Sequence, residues 1–176
     1  STAGRISWLW KYGAEEALRH QSQAVISVIG AENKSLDLHK TFTSVAGGLL
    51  ENSNASGIYM ADQYLLLSKG FYTSAARNMR DNQSLPLYCW AYFGMTQEKE
   101  LSSGYTWGLL EFGLAEMEIV LSKQSQPDVH AVLYDAASTV VQYNLQLQDG
   151  QTFTTLEGLK LQVKRSKGVY QEGETL

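Results

Sequence analysis

Residues 104–121, GYTWGLLEFGLAEMEIVL, constrain this chain more than any other stretch. Over 104–112 the residues alternate with the two-residue period of a strand: Gly104, Thr106, Gly108, Leu110 and Phe112 on one side, Tyr105, Trp107, Leu109 and Glu111 on the other. Gly113 supplies the positive φ that opens a type II′ turn, so Gly113 and Leu114 are predicted to reverse the chain into a second strand over 115–121. That register sets Phe112 opposite Ala115, Leu110 opposite Met117, Gly108 opposite Ile119 and Thr106 opposite Leu121, one apolar face fit to cover a core.

The other face is predicted to pair Glu111 with Glu116, Leu109 with Glu118 and Trp107 with Val120. Two opposed carboxylates repel unless they are solvated, bridged by a cation, or one of them keeps its proton. A carboxyl that stays protonated near neutral pH is a general acid, so Glu111, Glu116 and Glu118 are the candidate catalytic residues. A solvated or salt-bridged sheet face is the plainer reading of the same three residues.

Size and charge remove several function classes. A chain of 176 residues is long enough to bury a core without disulfides or metals. A net charge of −4 and a pI near 5.4 leave no basic footprint for nucleic acid. The sequence has no apolar run of membrane-spanning length and no signal-like start, so a cytoplasmic protein is expected. It begins at Ser1 without a methionine, as expected of a fragment, a processed form or a tag remnant. Cys89 is the single cysteine and lies in an apolar run, the setting of an inert thiol. N-x-S/T matches at Asn33, Asn54 and Asn82 carry no weight without a secretory signal.

Along the chain, helical spacing of Ile6, Leu9, Trp10 and Ala17 predicts a helix over 6–19, and the β-branched run AVISVI a strand over 24–29. Ser35 is the expected cap of a helix reaching Leu50 with Leu38, Phe42, Val45, Ala46 and Leu49 as its stripe, the Gly47–Gly48 pair allowing close approach to a sheet. A strand follows at 58–60, then a helix opened by Asp62, then a strand at 87–93 whose Tyr88, Trp90 and Tyr92 share a face. Strands alternating with helices imply parallel crossovers. After the hairpin come a long helix over 127–143 with Pro127 in its first turn, a turn at Asp149-Gly150, two closing strands at 152–155 and 159–164, and a tail that trails off. The expected fold is one α+β domain with an α/β-like first half: a mixed β-α-β-α-β sheet, an antiparallel hairpin, a long helix and two short closing strands.

No phosphate-binding glycine loop is present, since Gly104, Gly108 and Gly113 match neither nucleotide fingerprint. His20, His39 and His130 are scattered without metal-ligand spacing, so neither a metal nor a cofactor is expected. Asp37 with His39 and Asp128 with His130 stand two residues apart, a spacing that points side chains away from each other on a helix.

At the hairpin, SGYTWGLLEFGLAEMEI resembles the SGYTxGLxxFGxxExEI signature of a bacterial domain-of-unknown-function family, DUF4261. HQSQAVISVIG, GIYM and LPLYCWAYFG upstream, and VVQYN, DGQTF and SKGVYQEGETL downstream, look like the same pattern. The matching hairpin positions are Gly104, Tyr105, Thr106, Gly108, Leu109, Phe112, Gly113, Glu116, Glu118 and Ile119. Gln151 stands where the family pattern has Glu, and Leu114 where it has a basic residue. The resemblance implies a strand-rich segment ahead of Ser1 and brings no established reaction. Among its positions, Tyr105, Glu116 and Glu118 are those that packing alone does not require. With Trp107 they form the expected ligand or partner surface. The expected role is non-catalytic binding, to a protein partner or by self-association, with an immunity-type or regulatory partner of a toxin or effector as the concrete version. The alternative is a hydrolase-like acid/base enzyme using the three glutamates.

Overall fold

The computed structural model describes residues 9–30 and 35–176. The chain divides into two compact units, Ser1–Trp90 and Ala91–Leu176. Both helices and strands are present in an α+β fold, and among the described residues every strand pair is antiparallel. The expected parallel crossovers therefore do not form.

In the first unit, residues 6–8 of the helix expected over 6–19 lie outside the described residues, 9–12 form no helix, and Gly13–Leu18 form α1. Residues 24–29 are not a strand; they join no sheet, and Val25 and Ile29 are among the most exposed apolar side chains. Helix α2, Ser35–Glu51, forms where expected. Strand β1, Gly57–Met60, pairs with β2, Leu65–Ser68, a segment expected to be helical. Leu65, Leu66 and Leu67 are all buried, and a strand covered on both faces accommodates such a run.

Helix α3, Lys69–Asn82, begins only after Ser68, whose hydroxyl accepts the Phe71 N–H at 3.3 Å. Tyr72, Ala76 and Met79 form its buried stripe. Residues 87–90 are also helical rather than extended: α4, Leu87–Trp90, follows Pro86 in a single turn that buries Leu87, Cys89 and Trp90 together. In a strand Trp90 would face away from Leu87 and Cys89. Burial pushes the Cys89 thiol up to about 12, which fits the inert reading.

The buried face of α2 is rotated from the expected stripe. Thr43, Ala46 and Leu50 point inward, while Val45 and Leu49 stay 45% and 53% exposed. The cause is polar: the buried Trp90 indole N–H donates to the Thr43 hydroxyl at 2.8 Å, which holds Thr43 inside. Gly47 faces Ala76 so closely that an added Cβ would lie 2.7 Å from it. The glycine thus serves an approach between two helices, not between helix and sheet.

In the second unit, β3, Tyr92–Glu98, pairs with β4, Leu101–Trp107, and β4 with β5, Glu118–Ser122. Helix α5, Gln126–Tyr143, covers one face; a Cβ on Gly104 would meet Val129 at 3.1 Å and Leu133 at 3.3 Å. Its buried residues include Val129, Leu133, Ala136, Ala137, Val140 and Val141, the stripe that the spacing predicts. The closing strands form as β6, Thr152–Thr154, and β7, Lys160–Gln162. The tail does not trail off: β8, Ser166–Lys167, pairs with β9, Glu174–Thr175, and Thr175 is buried. Leu176 then meets β5 in the pattern of a parallel neighbour, its N–H on the Glu116 carbonyl at 3.0 Å and its carbonyl taking the Glu118 N–H at 2.8 Å.

Replacing Thr43 by Val keeps the side-chain volume and leaves the indole N–H unanswered. We expect Thr43→Val to cost ~1–3 kcal/mol in urea unfolding, and a loss near zero would mean that this bond does not set the α2 face.

Candidate functional site

The site grows from the difference between the expected and observed registers of β4 and β5. Gly104 faces Ile119 and Tyr105 faces Glu118, so the strands separate at Trp107 instead of running to Gly113. Residues 109–112 wind into a 3-10 turn, Leu109–Phe112, closed by Gly113 at φ 67°. Leu109 and Phe112 stand three apart and are both buried; a 3-10 turn sets them on one side, whereas a strand would set them on opposite faces. The expected opposition of Glu111 and Glu116 therefore does not occur. Glu111 is exposed on the turn and Glu116 is buried beneath it.

Glu116 is buried with its carboxylate taken up by the chain. Oε2 accepts the Thr106 hydroxyl at 2.6 Å, and Oε1 accepts the N–H groups of Gly108 at 2.7 Å and Leu110 at 3.3 Å. The Thr106 hydroxyl in turn accepts the Met117 N–H at 2.9 Å. Donors freed where the strands part thus regain a partner, and the buried charge has three. Gly108, at φ 126°, supplies the backbone geometry that aims its N–H inward.

Glu118 holds a different element. Its carboxylate accepts the N–H groups of Val169 at 2.8 Å and Tyr170 at 2.9 Å, at the tip of the β8–β9 hairpin. Gln171 adds a bond from Nε2 to the Thr106 carbonyl at 2.6 Å. The hairpin is thereby laid over the sheet face opposite α5. There the Tyr105 ring covers Gly94, its cross-strand partner, leaving no room for a Cβ. Tyr105 stacks on Tyr170, with centroids 5.3 Å apart and planes 13° apart, and meets Tyr92 edge-on at 6.0 Å. Burial, with Tyr105 beside it, holds the Tyr92 phenol above its ordinary value.

Trp107 lies on that same face, opposite Tyr92 in the register, and is 42% exposed. The structure thus brings Tyr105, Trp107 and Glu118 together on one face, with Glu116 under the turn and Glu111 outside. Gly94, Tyr170 and Gln171 escape the sequence reading, which has Tyr92 only in an aromatic row with Tyr88 and Trp90. Gly94 followed by an alternating strand was the one local signal, and it needs the β3–β4 register to be read.

The histidines stand apart. His39 packs edge-on to Trp90 at 5.6 Å, and His130 lies between Phe93 and Tyr134, its pKa lowered by burial. No group of three potential metal ligands occurs among the described residues, and no helix among them is long and apolar enough to cross a membrane. A cavity of about 30 Å³ lies near Leu114, Val140, Leu147 and Leu176, room for one or two waters.

The strand that carries Tyr105, the turn on Glu116 and the strap on Glu118 also form one continuous stretch of sequence that a family model recognises. That model, described as "Domain of unknown function (DUF4261)", matches residues 105–176. Over these residues the chain is similar to the DUF4261 family. No curated protein and no solved structure matches the chain. Both carboxylate anchors and the Tyr105–Tyr170 stack fall inside the DUF4261 region, whereas Gly94 and Tyr92 lie before it.

Two substitutions test this construction. Glu116→Ala removes charge-assisted bonds worth ~1.5–3 kcal/mol and should lower the unfolding midpoint accordingly; unchanged stability would show that water replaces the carboxylate freely. Gly94→Ala should destabilise the wild type more than it destabilises a Tyr105→Ala background, because the clash is with that ring, and equal costs in a double-mutant cycle would place the strain elsewhere.

Proposed function

We propose that this chain is a non-catalytic binding domain of a bacterial cytoplasmic protein, acting on a protein partner through the rim beside the 3-10 turn. The observation that carries the reading is that Glu116 and Glu118 spend their acceptor atoms on backbone and hydroxyl donors of the same chain. Their charge serves to hold a loop and a strap in place, a use that competes with proton transfer to a substrate. The same bonds fix a turn that presents apolar side chains to solvent: Leu110 is 69% exposed and Trp107 42%. An apolar surface whose backbone is already ordered loses little entropy on binding, which favours association. An immunity-type or regulatory partner of a toxin or effector is the concrete form of this proposal, since such a role asks for a rigid surface and no chemistry.

Affinity capture from a bacterial host with the wild-type chain is expected to return a specific protein. Trp107→Ala and Leu110→Asp, both at exposed positions, should each weaken that capture by about tenfold or more while leaving the thermal midpoint nearly unchanged. Capture that is indifferent to both substitutions would remove the rim from the reading.

A further inference from the structure

Glu118 lies directly across the β4–β5 ladder from Tyr105, so its carboxylate and that ring share one sheet face. Each carboxylate oxygen takes one donor from the β8–β9 strap, Oε2 the Val169 N–H at 2.8 Å and Oε1 the Tyr170 N–H at 2.9 Å. Beside them the Thr106 carbonyl takes the Gln171 side-chain amide at 2.6 Å, and the Tyr170 ring lies on Tyr105 with planes 13° apart. A flat ring, a forked pair of N–H donors and a further N–H thus fill a site built of a ring face, a carboxylate and a carbonyl. Those donors are all neutral. No ion pair among the described residues involves Glu118, so its carboxylate meets hydrogen bonds and no opposing charge.

A guanidinium group carries the same features in a single unit: it is planar, it presents N–H donors as a fork that matches a carboxylate, and it stacks on aromatic rings. It also brings the positive charge that the amides lack, to which Glu118 and the face of Tyr105 both respond. The strap is lightly seated by comparison. Between residues 164 and 174 none is buried, and only Gly168, Tyr170 and Gln171 are half-buried. Its ladder is two residue pairs long. The chain on either side is held separately, by the Arg165 N–H on Asp149 at 2.7 Å and by buried Thr175, so residues 166–174 form a segment that opens ahead of the sheet. We propose that Tyr105, Glu118 and the Thr106 carbonyl form a binding site for the guanidinium group of an arginine, which the strap fills as an internal stand-in until such a ligand displaces it. The site includes neither Trp107 nor Leu110 and stands independently of the rim proposed above.

The probes are N-acetyl-arginine amide and N-acetyl-lysine amide, titrated into the full chain and followed by NMR at the backbone amides of residues 169 and 170. Bound arginine amide should shift both signals and speed their hydrogen exchange, because it takes Glu118 from them. Loosening the strap with Tyr170→Ala and Gln171→Ala together should tighten that binding by about tenfold or more, since less of the protein is then held in the filled form. Adding Glu118→Gln to the loosened chain should weaken it again by about tenfold, the charge-assisted fork being lost. Lysine amide, without the plane and the fork, should bind about tenfold more weakly than arginine amide. Far-ultraviolet circular dichroism reports folding of each variant, and if the double variant does not fold, Gln171→Ala alone carries the comparison. Free arginine run beside the capped form identifies the source: tighter binding of the capped form assigns the arginine to a polypeptide, tighter binding of the free form to a small molecule, and either upholds the site. No binding of arginine amide to the loosened chain, equal binding of lysine amide, or binding that leaves residues 169 and 170 unmoved would each overturn the proposal.

Discussion

The second unit depends on one buried carboxylate. When β4 and β5 part at Trp107, the amides of Gly108 and Leu110 leave the ladder. Glu116 answers both and takes the Thr106 hydroxyl as well, so a charge that is costly to bury becomes the organising centre of the turn. The 3-10 turn, the burial of Leu109 and Phe112, and the exposure of Leu110 follow from that arrangement. A strand continued to Phe112 would have put Leu109 on the solvent side.

Glu118 repeats the device at longer range. Its partners lie 51 and 52 residues further along the chain, so it ties the last hairpin to the middle of the sheet. Gly94 completes the same join by leaving a hollow for Tyr105, whose other side receives Tyr170. Two carboxylates that stand two residues apart, the usual sign of a reactive pair when met in a sequence, here perform separate mechanical tasks in one fold.

The first unit is set by a neutral polar bond. Trp90 donates to Thr43 from a fully buried position, and that bond turns α2 so that two of its expected core residues face outward. Close approach of Gly47 to Ala76 then seats α2 against α3. Apolar periodicity alone ranks Val45 and Leu49 above Thr43 as core residues, because it assigns no value to a partner 47 residues away.

Helix α5 was legible in the sequence, where Pro127 stands in its first turn and its stripe is the one that is buried; its Ser125 cap emerged only in the structure. Its stability rests on neighbours three and four residues apart, which the sequence displays directly. The α+β class, the β1 strand, the β6–β7 pair and the side of β4 that bears Tyr105 and Trp107 were legible for the same reason. The residues at 65–68 and 87–90 were misread because short apolar runs fit strand and helix alike until packing chooses between them. Glu116 and Glu118 were visible as residues that packing does not demand, yet their use was not. Local pattern specifies which side chains can be buried and which polar ones then need partners; the identity of those partners comes from the folded chain, because hydrogen bonds are met by atoms close in space, however far apart they lie along the chain.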